Sequence, residues 1–275
     1  MDGSTCAIVF LTLFPDGEVV FVNPHEADTF PGRGDGTMTI FADVCPSYFL
    51  VDETVVDHHA SNIDKLKGKE PEGAVLNTKK CGCLLLHETL SAIWKDSLRF
   101  NELTQLCSVV NHYDLNGPGS PESDRLADFH QLVGQEQFVQ KMLKKGWQQI
   151  PLSILDDDEL NLVRAFASAK QRYVNKACDQ AFRGSYFWGE RVIMAIADDH
   201  CNDIMCELLT RHQEVDFAII INLLRNSGSV RSRNPKHDCT ALVKKFGGGG
   251  HPCAAGFPLH RSTVNELRAV IGGDE

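Results

Sequence analysis

A run of β-branched residues that ends in one acid and two imidazoles, Val55-Val56-Asp57-His58-His59, constrains this chain more than any other stretch. The valines read as the end of a buried strand, and open α/β sheets gather their ligands at the carboxyl ends of strands. An aspartate and a histidine at that address can hold a divalent cation through oxygen and nitrogen. Adjacent strand residues point to opposite faces, so at most one of the two histidines is expected to share an ion with the rest of the site. The other is then left to meet substrate or to position the ligands. Taken alone, the triplet also fits a solvated loop with a chance histidine pair.

Length and charge narrow the partners. A chain of 275 residues holds two domains or one large α/β unit. Its net charge of -10 leaves no extended basic track for long nucleic acid, whereas a short anion gripped by a few arginines and a metal remains compatible. The ten cysteines include no CxxC pair, and Cys6, Cys45, Cys107 and Cys253 sit among apolar or small neighbours. They read as reduced core thiols of a cytoplasmic protein. Apolar runs such as FAIIINLL are too short to span a bilayer, and Asp2 stands where a signal peptide would carry a basic leader. No membrane partner is expected.

In chain order, STCAIVFLTLF predicts a helix capped by Ser4 or Thr5, with no strand before it. VVFVNP and TMTIFADV read as strands, the second delivering Asp43 at its end. After VVDHH, CGCLLLHETLSAIW has helical spacing, with His87 read as a packed side chain. A further helix runs to a turn near Asn116, leaving His112 and Asp114 at its edge. Residues 124 to 183 are patterned as helix, and Asp156 to Leu160 form an acidic, solvated helix start. Then RVIMAIA, VDFAIIINLL and SVRSR read as strands around the helix CNDIMCELLTRH. A helix capped by Asp238 runs into GGGGHPCAAGF, where glycines end the helix and allow close backbone approach before an ordered turn into a strand. Arg231 and Arg233, with Lys244, Lys245 and His251, form a local basic cluster suited to phosphate or carboxylate.

VVDHHAS, followed far downstream by SVRSR and KKFGGGGHPCAAGF, resembles the DHH phosphoesterase superfamily with its DHH-associated C-terminal domain. The resemblance covers nearly the whole chain. It implies an α/β fold of two domains: a parallel-sheet catalytic domain over residues 1–123, a helical connector over 124–187, and a smaller α/β substrate-binding domain over 188–275. It further implies that Asp2, Asp43, His58 and Asp114 are metal ligands, Asp43 bridging two ions. His59 would meet the scissile phosphate, supported by Asp57. Arg231 and the turn Gly249-Gly250-His251 would clamp the substrate, with Ser229 as an additional contact.

The departure from the family lies at the first motif. Members carry His-x-Asp-x-Asp-Gly at the end of the first strand, and Met1-Asp2-Gly3 resembles only its last positions. The expectation is that Met1 is an internal methionine of a longer reading frame or that the chain is truncated. The implied activity is hydrolysis of short RNA or DNA oligonucleotides, or related small nucleotides. It would use two Mn²⁺ or Mg²⁺ ions bridged by Asp43 and a hydroxide, reduced to one ion in this form. The alternative is a catalytically impaired relative that binds a nucleotide. The helical connector is a candidate homodimer surface.

Overall fold

The computed structural model describes residues 1–275 apart from 25, 31–32, 35, 95–97, 118, 146–153, 188–189 and 261–275. It is an α/β chain that divides into two compact units, Met1–Phe166 and Ala167–Glu275. No helix among the described residues is long and apolar enough to cross a membrane.

The first unit is built on a parallel sheet, β1 (Thr39–Ala42), β2 (Glu53–Asp57) and β3 (Val75–Leu76), in that spatial order. Phe41 and Val55 lie side by side in register, as do Ala42 and Val56, so the two longer strands end at the same level. Beside the sheet pack α1 (Asp2–Leu13), α3 (Gly82–Ile93), α4 (Leu98–Asn116), α5 (Pro121–Val133) and α6 (Gln135–Lys144), while α2 (Ala60–Leu66) follows β2 directly. One core joins Ile8, Val56, Leu86, Leu106, Phe129 and Phe138. A smaller core joins Phe41, Val55 and Leu66 with Phe30 and Phe49 packed against them. The loop beside it is fixed by Arg33, which makes paired hydrogen bonds of 2.8 Å to the two carboxylate oxygens of Glu53.

The second unit carries a mixed sheet in the order β4-β5-β6-β7-β9-β8. Its strands are β4 (Phe182–Phe187), β5 (Glu190–Ile196), β6 (Phe217–Asn222), β7 (Ser227–Ser232), β8 (Gly249–His251) and β9 (Ala254–Pro258). The apolar run in β6 is buried at every position, as a central strand requires. One face meets α8 (Cys201–Arg211) and the end of α7 (Asp157–Asp179) through Ile193, Ala218 and Ile220. The other meets α9 (Cys239–Val243) through Val230, Ala255 and Phe257.

Several expectations change here. Residues 19–24 form no strand: they have no ladder partner, and Val20 and Phe21 stay 44% and 38% exposed. The cap of α1 is Met1 rather than Ser4 or Thr5, which lie buried inside the helix. Leu126, Phe129, Phe138 and Met142 sit in the first unit's core, so α5 and α6 belong to it and the division falls within α7. A strand, β4, occupies the end of the stretch read as helical, where it pairs antiparallel with β5. All ten cysteines are free thiols.

Candidate metal centre

Because β1 and β2 end level, Asp43 and Asp57 leave the sheet side by side. Asp2, in the first turn of α1, and Asp114, in the last turn of α4, are brought to the same place. His58 Nε2 lies 3.3 Å from Asp43 Oδ1, 3.4 Å from Asp114 Oδ2 and 3.7 Å from Asp2 Oδ2. With metal–ligand bonds of about 2.1 Å, neighbouring ligands of an octahedral cation stand about 3.0 Å apart, so a small inward movement of these side chains encloses one. Carboxylates with one imidazole suit Mn²⁺ or Mg²⁺ better than thiolate-seeking ions.

The two imidazoles do not divide between opposite faces. β2 ends at Asp57, and His59 already caps α2 with φ of -69° and ψ of 118°, so strand alternation stops before it can separate them. Their ring centroids stand 4.4 Å apart, and His59 Nδ1 lies 3.9 Å from Asp43 Oδ1. Asp57 is fully buried beneath both. Its Oδ1 accepts the backbone N–H groups of His58 and His59 at 2.6 and 3.0 Å, and His59 Nδ1 is 2.7 Å away. Asn62 donates to its other oxygen at 2.6 Å. Burial pushes the Asp57 carboxyl up, but the hydrogen bonds from His59 and Asn62 outweigh it and hold the group below its ordinary range. The same hydrogen bond raises His59 to about 9.

Two of the converging carboxylates show the opposite balance. Burial, then the nearby charge of Asp43, raises Asp2, even though Gly82 and Cys83 donate to it at 2.7 and 2.8 Å from the start of α3. Burial, then Asp2, raises Asp114. Three acids crowded around one imidazole repel one another, and a divalent cation relieves that repulsion. Burial lowers His58, yet Asp43, Asp114 and Asp2 overcome it and raise the imidazole. Asp43 itself is held at φ of 61°, a left-handed conformation that aspartate tolerates better than most residues and that is common at functional sites.

Sequence reasoning missed two supporting residues. Asn62 fixes Asp57, and Gly82 lets Asp2 and Asp43 stand close: a Cβ there would stand 3.0 Å from Asp43 Cβ and 3.1 Å from Asp2 Oδ2. The only signal for Gly82 was its place between two cysteines at a helix start.

In the second unit, Arg231 pairs across to Ala254, which pairs in turn to His251, and Ser229 pairs through Gly256 to Gly249. Side chains in such rows share a face, so Ser229, Arg231 and His251 all lie on the face that α8 partly covers. Arg231 Nη1 donates to Cys206 Sγ at 2.8 Å. Gly250 is needed where it stands, since a Cβ would meet Ala254 O at 2.5 Å and its φ is 146°, whereas Gly249 borders open space. The basic cluster read from sequence is split: the segment carrying Lys244 and Lys245 packs with Phe246 on the opposite face, and Arg233 bonds the carbonyl of His212 at 2.9 Å.

No protein-family model matches the sequence, and no curated protein matches it. Solved structures do. Exonuclease RecJ bound to manganese is similar over 100% of this chain and 88% of its own, with 13% identity and a TM-score of 0.56. A pGpG-specific phosphodiesterase, PggH of Vibrio cholerae, is similar over 98% of this chain and 95% of its own, with 12% identity and a TM-score of 0.51. An exopolyphosphatase-related protein from Bacteroides fragilis is similar over 98% and 87%, with 12% identity and a TM-score of 0.50. The chain has the fold of these structures, which is also that of a DHH domain from a member of the s1p family of ribosomal proteins.

Proposed function

We propose that this protein is a metal-dependent phosphodiesterase acting on short oligonucleotides or related small nucleotides. The observation that carries the reading is the meeting of Asp2, Asp43 and Asp114 around His58 Nε2, from four separate elements, in a chain with a phosphoesterase fold. These four residues would hold Mn²⁺ or Mg²⁺. A bound divalent cation supplies Lewis-acid polarisation of a phosphoryl oxygen and acidifies water.

The protein's own groups do the rest. His59, raised to about 9 by Asp57, is an imidazolium at neutral pH and donates a hydrogen bond to a phosphate oxygen as negative charge builds there. Asp57 keeps that ring oriented and Asn62 keeps Asp57 oriented. In the second unit, the Nε–H of Arg231 has no acceptor among the described residues, so the guanidinium has a donor left for an anion. With Ser229, His251 and the Gly249-Gly250 backbone it binds the nucleotide phosphate and sets selectivity. Acidic composition restricts the substrate to short chains.

A second reading, a nucleotide-binding relative of low turnover, is favoured by one observation: the three carboxylates of Asp2, Asp43 and Asp114 converge on one imidazole, enough for a single ion. Incubation with a 5′-phosphorylated RNA dinucleotide, with and without Mn²⁺, decides between the two. Mononucleotide release that requires Mn²⁺ and falls at least about 100-fold in His58→Ala supports the enzyme, since loss of a ligand removes charge stabilisation. Affinity for the dinucleotide without product supports the binder.

A further inference from the structure

Four of the ten cysteines gather in the core of the first unit, behind Asp2. Three helices bring them there. On α1, Cys6 follows Asp2 by four residues, and on α4, Asn111 follows Cys107 by four, so each pair shares a helix face. Both helices pack against α3, where Cys81 is the N-cap and Cys83 follows after a single glycine. Asn111 Oδ1 accepts the Cys81 N–H at 2.8 Å, and the Asp2 carboxylate accepts the Gly82 and Cys83 N–H groups. These bonds hold the backbone of the CGC segment, and Cys81 Sγ and Cys83 Sγ stand 3.3 Å apart. Ligand atoms of Asp2, Cys81 and Cys83 all lie within 4.8 Å of one another. Cys107 is within hydrogen-bonding reach of Cys83, and Cys6 lies beside Cys81 and Cys107. All four cysteines are at most 4% exposed.

We propose that Cys81, Cys83 and Asp2 form a second cation site, selective for a thiophilic ion such as Zn²⁺, with Cys107 completing the set. Packing alone asks only that a thiol be small and apolar, and it gives no reason for two sulfurs to face a buried carboxylate. The distances suit an ion. With metal–sulfur bonds of about 2.3 Å, two thiolates of a tetrahedral ion stand about 3.8 Å apart, so the pair needs to open by only about 0.5 Å. The donors also separate this site from its neighbour: thiolates favour Zn²⁺ or Cd²⁺, whereas Asp43, Asp114 and His58 suit Mn²⁺ or Mg²⁺. Binding replaces two S–H bonds with two metal–sulfur bonds and passes two protons to solvent, so no oxidant or reductant takes part. Entry is from the acidic side, where the Asp43 and Asp114 side chains are 21% and 31% exposed and meet Asp2 around His58. Because Asp2 is common to both sites, a thiophilic ion held by the sulfurs weakens the grip of the first centre on Mn²⁺. The thiol site stands on the sulfur geometry and does not depend on the phosphodiesterase reading.

The test is titration of the full chain with Cd²⁺, whose bonds to thiolate give an ultraviolet charge-transfer band that its bonds to carboxylate and imidazole do not. The half-buried Cys45, Cys201, Cys206 and Cys253 are first replaced by serine, which leaves Cys178 and Cys239, in separate cores, as the thiols outside the cluster. One equivalent of Cd²⁺ is expected to raise the band, with affinity at least about 10-fold lower once Cys81→Ala and Cys83→Ala are added. No band, or a band of equal strength in that double alanine variant, overturns the proposal. Displacement of Mn²⁺ by Cd²⁺ without the band assigns the ion to the carboxylate centre and overturns it as well. If the double alanine variant fails to fold, X-ray absorption of the one-equivalent complex of its parent decides instead. Two or more sulfur neighbours around cadmium support the site, and a shell with at most one sulfur overturns it.

Discussion

Replacing Asp57 by Asn tests the link between the buried carboxylate and the histidine above it. The carboxylate accepts two backbone N–H groups within 3.0 Å, with His59 Nδ1 at 2.7 Å and Asn62 Nδ2 at 2.6 Å, and an amide can satisfy only part of that set. Losing the charge-assisted bonds costs about 2–4 kcal/mol, read by urea denaturation of the metal-free protein. The more specific effect is on His59. With its pKa raised to about 9, the ring is about 97% protonated at pH 7.5, and at an ordinary value of about 6.5 it falls to about 9%. Heteronuclear NMR titration of the ring nitrogens reads the change directly. The sign of the linkage is set by the raised pKa: the stabilisation is full below about 6.5 and is lost as pH rises through about 9. The wild-type advantage over Asp57→Asn therefore narrows across that window. A His59 pKa still near 9 in the variant refutes the assignment of Asp57 as its cause.

Other outcomes follow from the same geometry. Gly82→Ala places a Cβ 3.0 Å from Asp43 and 3.1 Å from Asp2, and is expected to weaken Mn²⁺ affinity about 10-fold by calorimetry while the fold persists. Arg33→Met strands the buried Glu53 carboxylate and is expected to cost about 3–5 kcal/mol in urea denaturation. His130, lowered to about 3 by burial and standing 2.9 Å from Ser4 Oγ, stays neutral in the folded chain while the unfolded chain protonates below about 6.5. Stability is thus present above that pH and declines as pH falls toward 3, by up to about 1.4 kcal/mol per unit, and His130→Gln flattens this part of the pH–stability curve.

Much of this was legible where local chemistry and periodicity agree. The valine run ending at Asp57, the strand delivering Asp43, and Asp238 capping α9 by accepting from Thr240 and Ala241 were all readable from neighbours in sequence. Failures came where partners far apart in the chain decide. Residues 19–24 have the composition of a strand but find no ladder. α5 and α6 read as a connector because nothing local reveals that Phe129 and Phe138 join the core of α1. The two histidines were assigned opposite faces because the strand was assumed to continue past Asp57, and a single residue of strand decides that point. Gly82 escaped because its role is measured against Asp2 and Asp43, which the fold alone brings to it.

The central claim is that side chains from α1, β1, β2 and α4 form one cation site. Titration of the metal-free full chain with Mn²⁺, followed by electron paramagnetic resonance, measures it without reference to substrate. About one ion is expected to bind per chain, at least about 10-fold more weakly in His58→Ala and in Asp114→Ala, and unchanged in Arg231→Ala. Absence of saturable binding, or binding that survives loss of both His58 and Asp114, contradicts the account.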